Sequence, residues 1–372
     1  MKYYIIAGEA SGDLHGSNLI KALQKQDEEA DFRCWGGDLM EEAGGHLVKH
    51  YRDLAFMGFV TVLLNLRTIL ANIRFCKQDI LDYQPDVLVL IDYPGFNLRI
   101  ADFAHKASIP ISYYISPQVW AWHSSRVPKM MEYIDLMMVI LPFEKDYFAE
   151  KWQWGVDFVG HPLLDVVAQK QTAFNDLQAT DLGLKSNKPI IALLPGSRQQ
   201  EISIVLSKML SVVDYFPDYQ FVIAGAPSLS QSFYETFTWG KEVQVVSNQT
   251  YLLLHLAEAA LVTSGTATLE TALFGVPQVV CYKGNWISYW IAKRLVDVPF
   301  ISLVNLVSEK EVVKELIQGE LTTQNLKTEL QKILPDGGSY LTIKKDYEQL
   351  FEKLGGEGAS EEAARLILES VI

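Results

Sequence analysis

Tyr3-Tyr4-Ile5-Ile6-Ala7 runs without a break into Gly8-Glu9-Ala10-Ser11-Gly12-Asp13, an apolar stretch that stops in a polar, glycine-bearing loop. The apolar part is too short for a signal peptide and reads as a first buried strand. Leu14–Gln26 follows with helical period. The same alternation returns in Val87–Ile91 before Leu98–Lys106, then in Ile111–Ile115 and Leu136–Ile140. Short apolar runs separated by helical segments are the signature of β-α-β units around a parallel sheet. After Gly160-His161-Pro162 and a polar stretch from Gln169 to Lys188 the pattern restarts. Ile190–Leu194 reads as a strand and Glu201–Val213 as a helix. Phe221–Ala224, Val243–Val246, Ala260–Thr263 and Gln278–Tyr282 follow as strands.

The fold class expected is therefore α/β, with two Rossmann-like domains facing a cleft. The domains are placed at 1–168 and 185–340, joined by a linker near 165–188. The tail 341–372 reads as helical with a break at Gly355-Gly356, and is expected to return to the first domain. A chain of 372 residues agrees with two domains at roughly 150 residues each.

Composition narrows the function. Hydrophobic residues make up 49% and charged residues 21%, which excludes a disordered chain. The net charge of −13 opposes nucleic acid, so an anionic ligand has to be held by a local site. Cys34, Cys76 and Cys281 are scattered and odd in number, which speaks against a disulfide framework or a zinc site and fits a reducing cytoplasm. No apolar run approaches the ~18 residues of a spanning helix.

Two loops have the chemistry of a diphosphate site. Leu193-Leu194-Pro195-Gly196-Ser197-Arg198 links a strand to a helix. Gly196 permits a tight turn, Ser197 can cap the helix, free N–H groups attract an anion, and Arg198 adds a forked donor. Val262-Thr263-Ser264-Gly265-Thr266-Ala267-Thr268-Leu269-Glu270 repeats the plan. Ser264, Gly265 and Thr266 offer donors, and Glu270 can accept two hydrogen bonds from a ribose diol. Each loop alone could be an ordinary strand-to-helix turn; together they point to a nucleotide diphosphate. Neither a P-loop nor G-x-G-x-x-G is present, which weakens kinases, ATPases and nicotinamide dehydrogenases. No Asp-x-Asp pair is present, so no metal cofactor is expected.

In the first half, Gly8, Ser11 and Gly12 allow close backbone approach to a ligand, while Glu9 and Asp13 bring acid to the cleft. The stronger candidate is Asp92 in Ile91-Asp92-Tyr93-Pro94-Gly95-Phe96-Asn97. It closes a buried strand, where a carboxyl's pKa rises towards that of a general base; the alternative is a cap or a salt bridge. Ser116-Pro117-Gln118-Val119-Trp120-Ala121-Trp122 is followed by His123, Arg126 and Lys129, a basic trio able to bind an acceptor's phosphate, while the tryptophans read as core. His161 either donates to a substrate or locks its turn. From Phe56 to Cys76 the sequence FMGFVTVLLNLRTILANIRFC carries one stripe at Phe59, Leu63, Leu66, Leu70 and Ile73 and a second at Phe56, Val60 and Leu64. One stripe can pack on the protein and leave the other for lipid, or both can be buried in the domain or in a homodimer.

The segments AGEASGD, IDYPGFN, SPQVWAW, LPFEK, GHPLLD, LLPGSR, TSGTATLE, AKRLV and SLVNL, spread from residue 7 to about 306, resemble the lipid-A-disaccharide synthase family. These are inverting glycosyltransferases of GT-B architecture. The resemblance implies transfer of 2,3-diacylglucosamine from UDP-2,3-diacylglucosamine to 2,3-diacylglucosamine 1-phosphate (lipid X), giving the β-1,6 disaccharide and UDP. It implies an acceptor- and membrane-facing first domain and a UDP-sugar-binding second domain. Asp92 matches the family's proposed base and Glu9 joins it as a catalytic candidate. Gly8, Ser11 and Gly12 match the loop at the reaction centre. Gly196, Ser197, Arg198, Ser264, Gly265, Thr266, Glu270 and Asn305 fall on the UDP side. Met57, Val60, Leu64, Phe96 and Asn97 are expected to face the acceptor and the membrane. Gly95 stands where the family commonly has an acid, and Val304 where proline is frequent. Another UDP-sugar transferase or epimerase, or a non-catalytic nucleotide-sugar binder, is the alternative.

Because both implied substrates are acylated, peripheral attachment to the cytoplasmic face of the inner membrane is expected through Met57–Leu64. A double substitution, Val60→Gln with Leu64→Gln, should reduce co-sedimentation with vesicles while leaving the thermal unfolding profile intact. Unchanged sedimentation would mark the segment as ordinary core.

Overall fold

Runs such as Val87–Ile91 and Ile190–Leu194 are apolar at every position, which suits a strand covered on both faces. The computed structural model describes residues 1–54, 66–184, 186–284 and 299–371. These residues form two units, Met1–Pro162 with Gly355–Ile372, and Leu163–Leu354.

The first unit is built on β1 (Lys2–Ala7), β2 (Asp31–Gly36), β3 (His46–His50), β4 (Val87–Ile91), β5 (Ile111–Tyr114), β6 (Leu136–Val139) and β7 (Asp157–Phe158). They are ordered β3-β2-β1-β4-β5-β6-β7 and pair in parallel throughout. The period of two divides the core. Tyr4, Ile6, Leu88 and Leu90 point to one face with Trp35, Cys76, Ile80, Phe96 and Ile100. Tyr3, Ile5, Val87 and Val89 point to the other with Leu19, Ile20 and Leu23 of the helix Ala10–Gln26. Ala363, Ala364 and Ile367 of the helix Ala359–Val371 complete that second face, and Lys25 pairs with Glu361 at 3.1 Å.

Polar groups lock β2 and the helices beside it. Arg33 donates to Asp79 from both Nε and Nη2 at 2.8 and 2.6 Å, the Tyr4 hydroxyl donates to Asp79 at 2.7 Å, and Trp35 Nε1 donates to the Tyr4 oxygen at 2.8 Å. Asp13, expected to bring acid to a cleft, is instead buried and accepts from the backbone N–H groups of Gly37, Leu39 and Met40. A buried carboxylate that takes three backbone N–H groups at the start of the helix Asp38–Glu42 serves as a brace for that turn.

The second unit is built on β8 (Ile190–Leu194), β9 (Gln220–Gly225), β10 (Val243–Ser247), β11 (Ala257–Thr263), β12 (Gln278–Tyr282) and β13 (Lys314–Ile317). Their order is β10-β9-β8-β11-β12-β13, again all parallel.

Several boundaries differ from the sequence reading. The stretch taken for linker begins with a helix, Leu163–Phe174, that buries Leu163, Leu164, Val166 and Val167 in the second unit. The tail divides at the glycine break: Tyr340–Lys353 belongs to the second unit, and only Gly355–Ile372 returns to the first. Leu70, placed in a packing stripe, is exposed, whereas Ile73, Cys76 and Ile80 of the helix Leu66–Tyr83 are buried. Met57, Val60 and Leu64 lie outside the described residues. The three cysteines are buried free thiols, and among the described residues no helix is long and apolar enough to cross a membrane.

Burial alone would raise the Asp79 pKa, but the hydrogen bonds from Arg33 and Tyr4 hold it below the usual carboxylate value. This stabilisation is therefore present above the unfolded value near 3.9 and is lost as pH falls through the lower folded value. Asp79→Ala should lower stability at neutral pH by about 3 kcal/mol, because Arg33 and Tyr4 lose their shared acceptor. Urea denaturation of the two proteins checks this; coincident midpoints would show that water replaces the carboxylate without cost.

Candidate active site

Both sheets reverse their strand order between two adjacent strands, β1 and β4 in the first and β8 and β11 in the second. At such a switch point the chain leaves the neighbouring strands in opposite directions, and a crevice opens beyond their carboxyl ends. Ala7 pairs with Ile91 at the top of β1 and β4, so Gly8-Glu9 and Asp92-Tyr93 emerge side by side. Leu194 pairs with Val262 in the second sheet, so Pro195-Gly196 and Thr263-Ser264-Gly265 do likewise.

Asp92 is held from its backbone. Its N–H donates to the Tyr114 carbonyl at 3.1 Å, and its carbonyl accepts from Asn97 Nδ2 at 2.7 Å and from the Tyr113 hydroxyl. Asp92 and Tyr93 both take left-handed backbone angles, φ 41° and 48°, before the helix Pro94–Lys106 begins. Two consecutive non-glycine residues in that region are strained, and here the strain aims one carboxyl. Burial, reinforced by the charge of Glu9 and partly offset by the Tyr93 N–H, raises the Asp92 pKa to about 6. Among the described residues no cation pairs with it. Gly8 is required by this geometry, since a Cβ there would lie 2.2 Å from the Tyr93 ring.

Other residues of the first unit sort themselves by exposure. Glu9 and Ser11 are exposed at the start of the helix Ala10–Gln26, while Gly8 and Gly12 are buried beneath them. Phe96 and Asn97 do not face an acceptor. Phe96 is buried against Trp35, with ring centroids 5.4 Å apart, and Asn97 is fully buried, donating to the carbonyls of Ile91 and Asp92. Asn97 is a strut for the Asp92 turn. His161 is also buried, and burial, with a further contribution from the charge of His15, lowers its pKa to about 3, so it stays neutral.

Glu144, which the sequence reading passed over, is fully enclosed beside this site. It accepts from the N–H groups of Ile140 and Leu141 and from Trp120 Nε1 at 3.2 Å. Burial raises its pKa to about 7; those three donors oppose the rise, and the charge of Asp92 adds to it. An acid five residues after the end of a buried strand is the signal that could have found it.

In the second unit a cavity of about 340 Å³ is lined by Gly196, Ser197, Ser264, Gly265, Thr266 and Glu270, together with Glu201, Thr250 and the loop Ala224–Pro227. The helices Gln199–Met209 and Thr266–Leu273 begin at its edge, and neither Arg198 nor Gly265, their N-cap residues, supplies a side-chain acceptor to the first turn. Ser197 does not cap the helix as expected. Uncapped N–H groups on two helices give the cavity an anion-binding end. Gly196 and Gly265 have φ of 106° and 142°, a region open to glycine but strained for any side chain. Arg198 is largely exposed and among the described residues pairs only with Glu201, at 3.3 Å, an exposed contact weak enough to be exchanged for a phosphate. Glu270 is fixed by the Tyr251 hydroxyl at 2.8 Å; burial raises its pKa and that hydrogen bond opposes the rise. Tyr251 was not anticipated from sequence.

Asn305 is the main correction in this unit. Its Nδ2 donates to the Val313 carbonyl and to Glu315, and its Oδ1 accepts from the N–H groups of Val312 and Val313, so its side chain has no group left for a nucleotide. It acts through the frame: Glu315 also binds Ile301 and Ser302, and the Ile301 carbonyl accepts from the Ser264 hydroxyl at 2.9 Å.

A solved UDP-GlcNAc 2-epimerase from Neisseria meningitidis, bound to UDP-GlcNAc, covers 99% of both chains with a TM-score of 0.65 at 14% identity. The glycosyltransferase of kitacinnamycin covers 99% of this chain and 98% of its own with a TM-score of 0.68 at 13%. Such identities speak for the fold alone, and the fold is that of the two-domain α/β class that includes GT-B glycosyltransferases. Over residues 3–370 the sequence matches the family described as Lipid-A-disaccharide synthetase. It is 39% identical to the lipid-A-disaccharide synthase of Trichlorobacter lovleyi over 99% of this chain and 97% of that one, and 40% identical to that of Syntrophus aciditrophicus over 98% and 96%. The chain belongs to the lipid-A-disaccharide synthase family and is a glycosyltransferase.

Removing the Glu9 charge should lower the Asp92 midpoint from about 6 towards the ordinary carboxylate value. Carboxyl carbon NMR of Glu9→Gln against the parent protein measures this; an unmoved midpoint would show that burial acts alone.

Proposed function

We propose that this chain joins two acylated glucosamine units into the β-1,6 disaccharide of lipid A. In this reading it transfers 2,3-diacylglucosamine from UDP-2,3-diacylglucosamine to 2,3-diacylglucosamine 1-phosphate and releases UDP. The observation that carries the reading is the family match across residues 3–370.

The residues suit the chemistry. An inverting single displacement needs a base for the attacking 6-hydroxyl and a stabilised leaving group at the anomeric carbon. Asp92, with its pKa raised to about 6 by burial and by Glu9, is largely ionised at neutral pH yet basic enough to accept the hydroxyl proton as the new bond forms. The diphosphate negative charge that develops on UDP is met by the two helix amino ends and Arg198, with no metal ion required, and Glu270 accepts from the ribose hydroxyls. The acyl chains give the protein reason to sit peripherally on the inner membrane.

The decisive experiment incubates the purified protein with both acylated substrates in the presence of EDTA and detects disaccharide and UDP by mass spectrometry; no product would refute the reading. Because Asp92 must be ionised to act, turnover rises as pH climbs through about 6. Asp92→Asn should cut turnover roughly 10²–10⁴-fold with UDP affinity retained by calorimetry, whereas Arg198→Ala should weaken UDP binding itself. Near-normal turnover of Asp92→Asn would remove the carboxylate from the mechanism.

A further inference from the structure

The reaction as described leaves the segment after β5 unused. Its first part is tied to the helix Pro142–Trp152: Trp120 Nε1 donates to Glu144, and the Tyr147 hydroxyl donates to the Val119 carbonyl at 3.3 Å. Its second part turns outward. Trp122 is 61% exposed and its ring lies 4.7 Å from that of His123, whose φ of 60° is left-handed. That strained residue swings the chain into the single turn Ser124–Arg126.

Arg126 is half-buried at the end of this turn. Among the described residues it is the one half-buried arginine without a carboxylate partner. Arg33 is paired with Asp79; Arg52, Arg198 and Arg365 are paired at the surface; Arg67, Arg74 and Arg99 are exposed. In a chain with 45 acidic side chains against 32 basic ones, a partly desolvated guanidinium left without an acid is unusual. Its place is informative too. The Tyr113 hydroxyl donates to the Asp92 carbonyl, and the Arg126 charge acts on that same phenol, opposing the rise that burial and Asp92 impose. Arg126 therefore stands on the β5 side of the proposed base, and Lys129 follows one helical turn on in Val127–Tyr133.

The electrostatics call for a cation there. Asp92 already feels Glu9, and Glu144 feels Asp92. A dianionic acceptor approaching these acids is repelled unless a positive group meets it. Building on the function proposed above, we propose that Arg126 binds the phosphomonoester of the acceptor sugar, its fork engaging two phosphate oxygens. The 6-hydroxyl and the 1-phosphate flank the same rigid pyranose ring, so fixing the phosphate presents the hydroxyl to Asp92. Arg126 is thus a specificity-determining residue for a sugar 1-phosphate over the same sugar without phosphate.

The test compares the intact protein with Arg126→Ala and Arg126→Lys, using UDP-diacylglucosamine as donor and diacylglucosamine with or without its 1-phosphate as acceptor. Arg126→Ala should lower kcat/KM for the phosphorylated acceptor about 10- to 150-fold, the effect of losing hydrogen bonds to a charged group. The loss should fall mainly on the acceptor KM, with the donor KM and UDP affinity unchanged, and Arg126→Lys should recover part of it. The unphosphorylated acceptor should be used equally by all three proteins. Equal losses on both acceptors, a loss in the donor KM, or no loss would overturn the assignment. Absence of disaccharide from the unsubstituted protein with the phosphorylated acceptor would instead refute the function on which it rests.

Discussion

A strand whose neighbours carry the chain away in opposite directions leaves a space at its carboxyl end that no connecting helix can cover. The proposed base and the anion-binding cavity both gather at that constraint. In the first unit it falls between β1 and β4, in the second between β8 and β11. The residues that follow these strands need only small side chains, a tight turn and one well-aimed functional group, and both pairs of loops supply them. The rest of each unit, with its apolar strands and covering helices, keeps those ends from moving.

The two units solve opposite electrostatic problems. The second presents backbone N–H groups from two uncapped helices and an arginine only loosely paired, a setting that favours negative charge. The first concentrates acid: Glu9 and Glu144 both interact with Asp92, and burial keeps the protons on Asp92 and Glu144 longer than water would. Such an arrangement lowers the stability of the isolated protein as pH rises from the unfolded carboxylate values near 4 through about 6 and 7, because the raised carboxyls must ionise where charge is poorly solvated. Proteins retain this kind of strain where a base of intermediate strength is useful.

The parallel α/β class was legible in the sequence because buried strands such as Val87–Ile91 and Ile190–Leu194 are continuous apolar runs bounded by turn residues. The strands that escaped notice were of another kind. β2 carries Asp31 and Arg33, whose charges hide a strand that a part-buried ion pair with Asp79 makes tolerable, while β7 spans only Asp157–Phe158. Asp92 could be singled out because a carboxyl closing an apolar strand is conspicuous. Its left-handed backbone could not be foreseen, since it depends on Asn97 and Tyr113 reaching back from later elements. For the same reason Asn97 and Asn305 looked like ligand contacts in a motif and proved to be internal braces: a linear pattern shows which residue types recur, and only the fold shows where their hydrogen bonds end. Arg126 is the converse, a cation whose lack of an acidic partner among the described residues becomes visible only when neighbours distant in sequence are in place.

The return of Ala359–Val371 to the first unit has a consequence for how the chain is made. Ala363, Ala364 and Ile367 share a core with Tyr3, Ile5 and Leu19, yet they leave the ribosome only after all of Leu163–Leu354 has been synthesised. The residues that begin first finish last: throughout translation of the second unit, one side of the earliest sheet stays short of its final cover, and that is the interval in which a chaperone would find it.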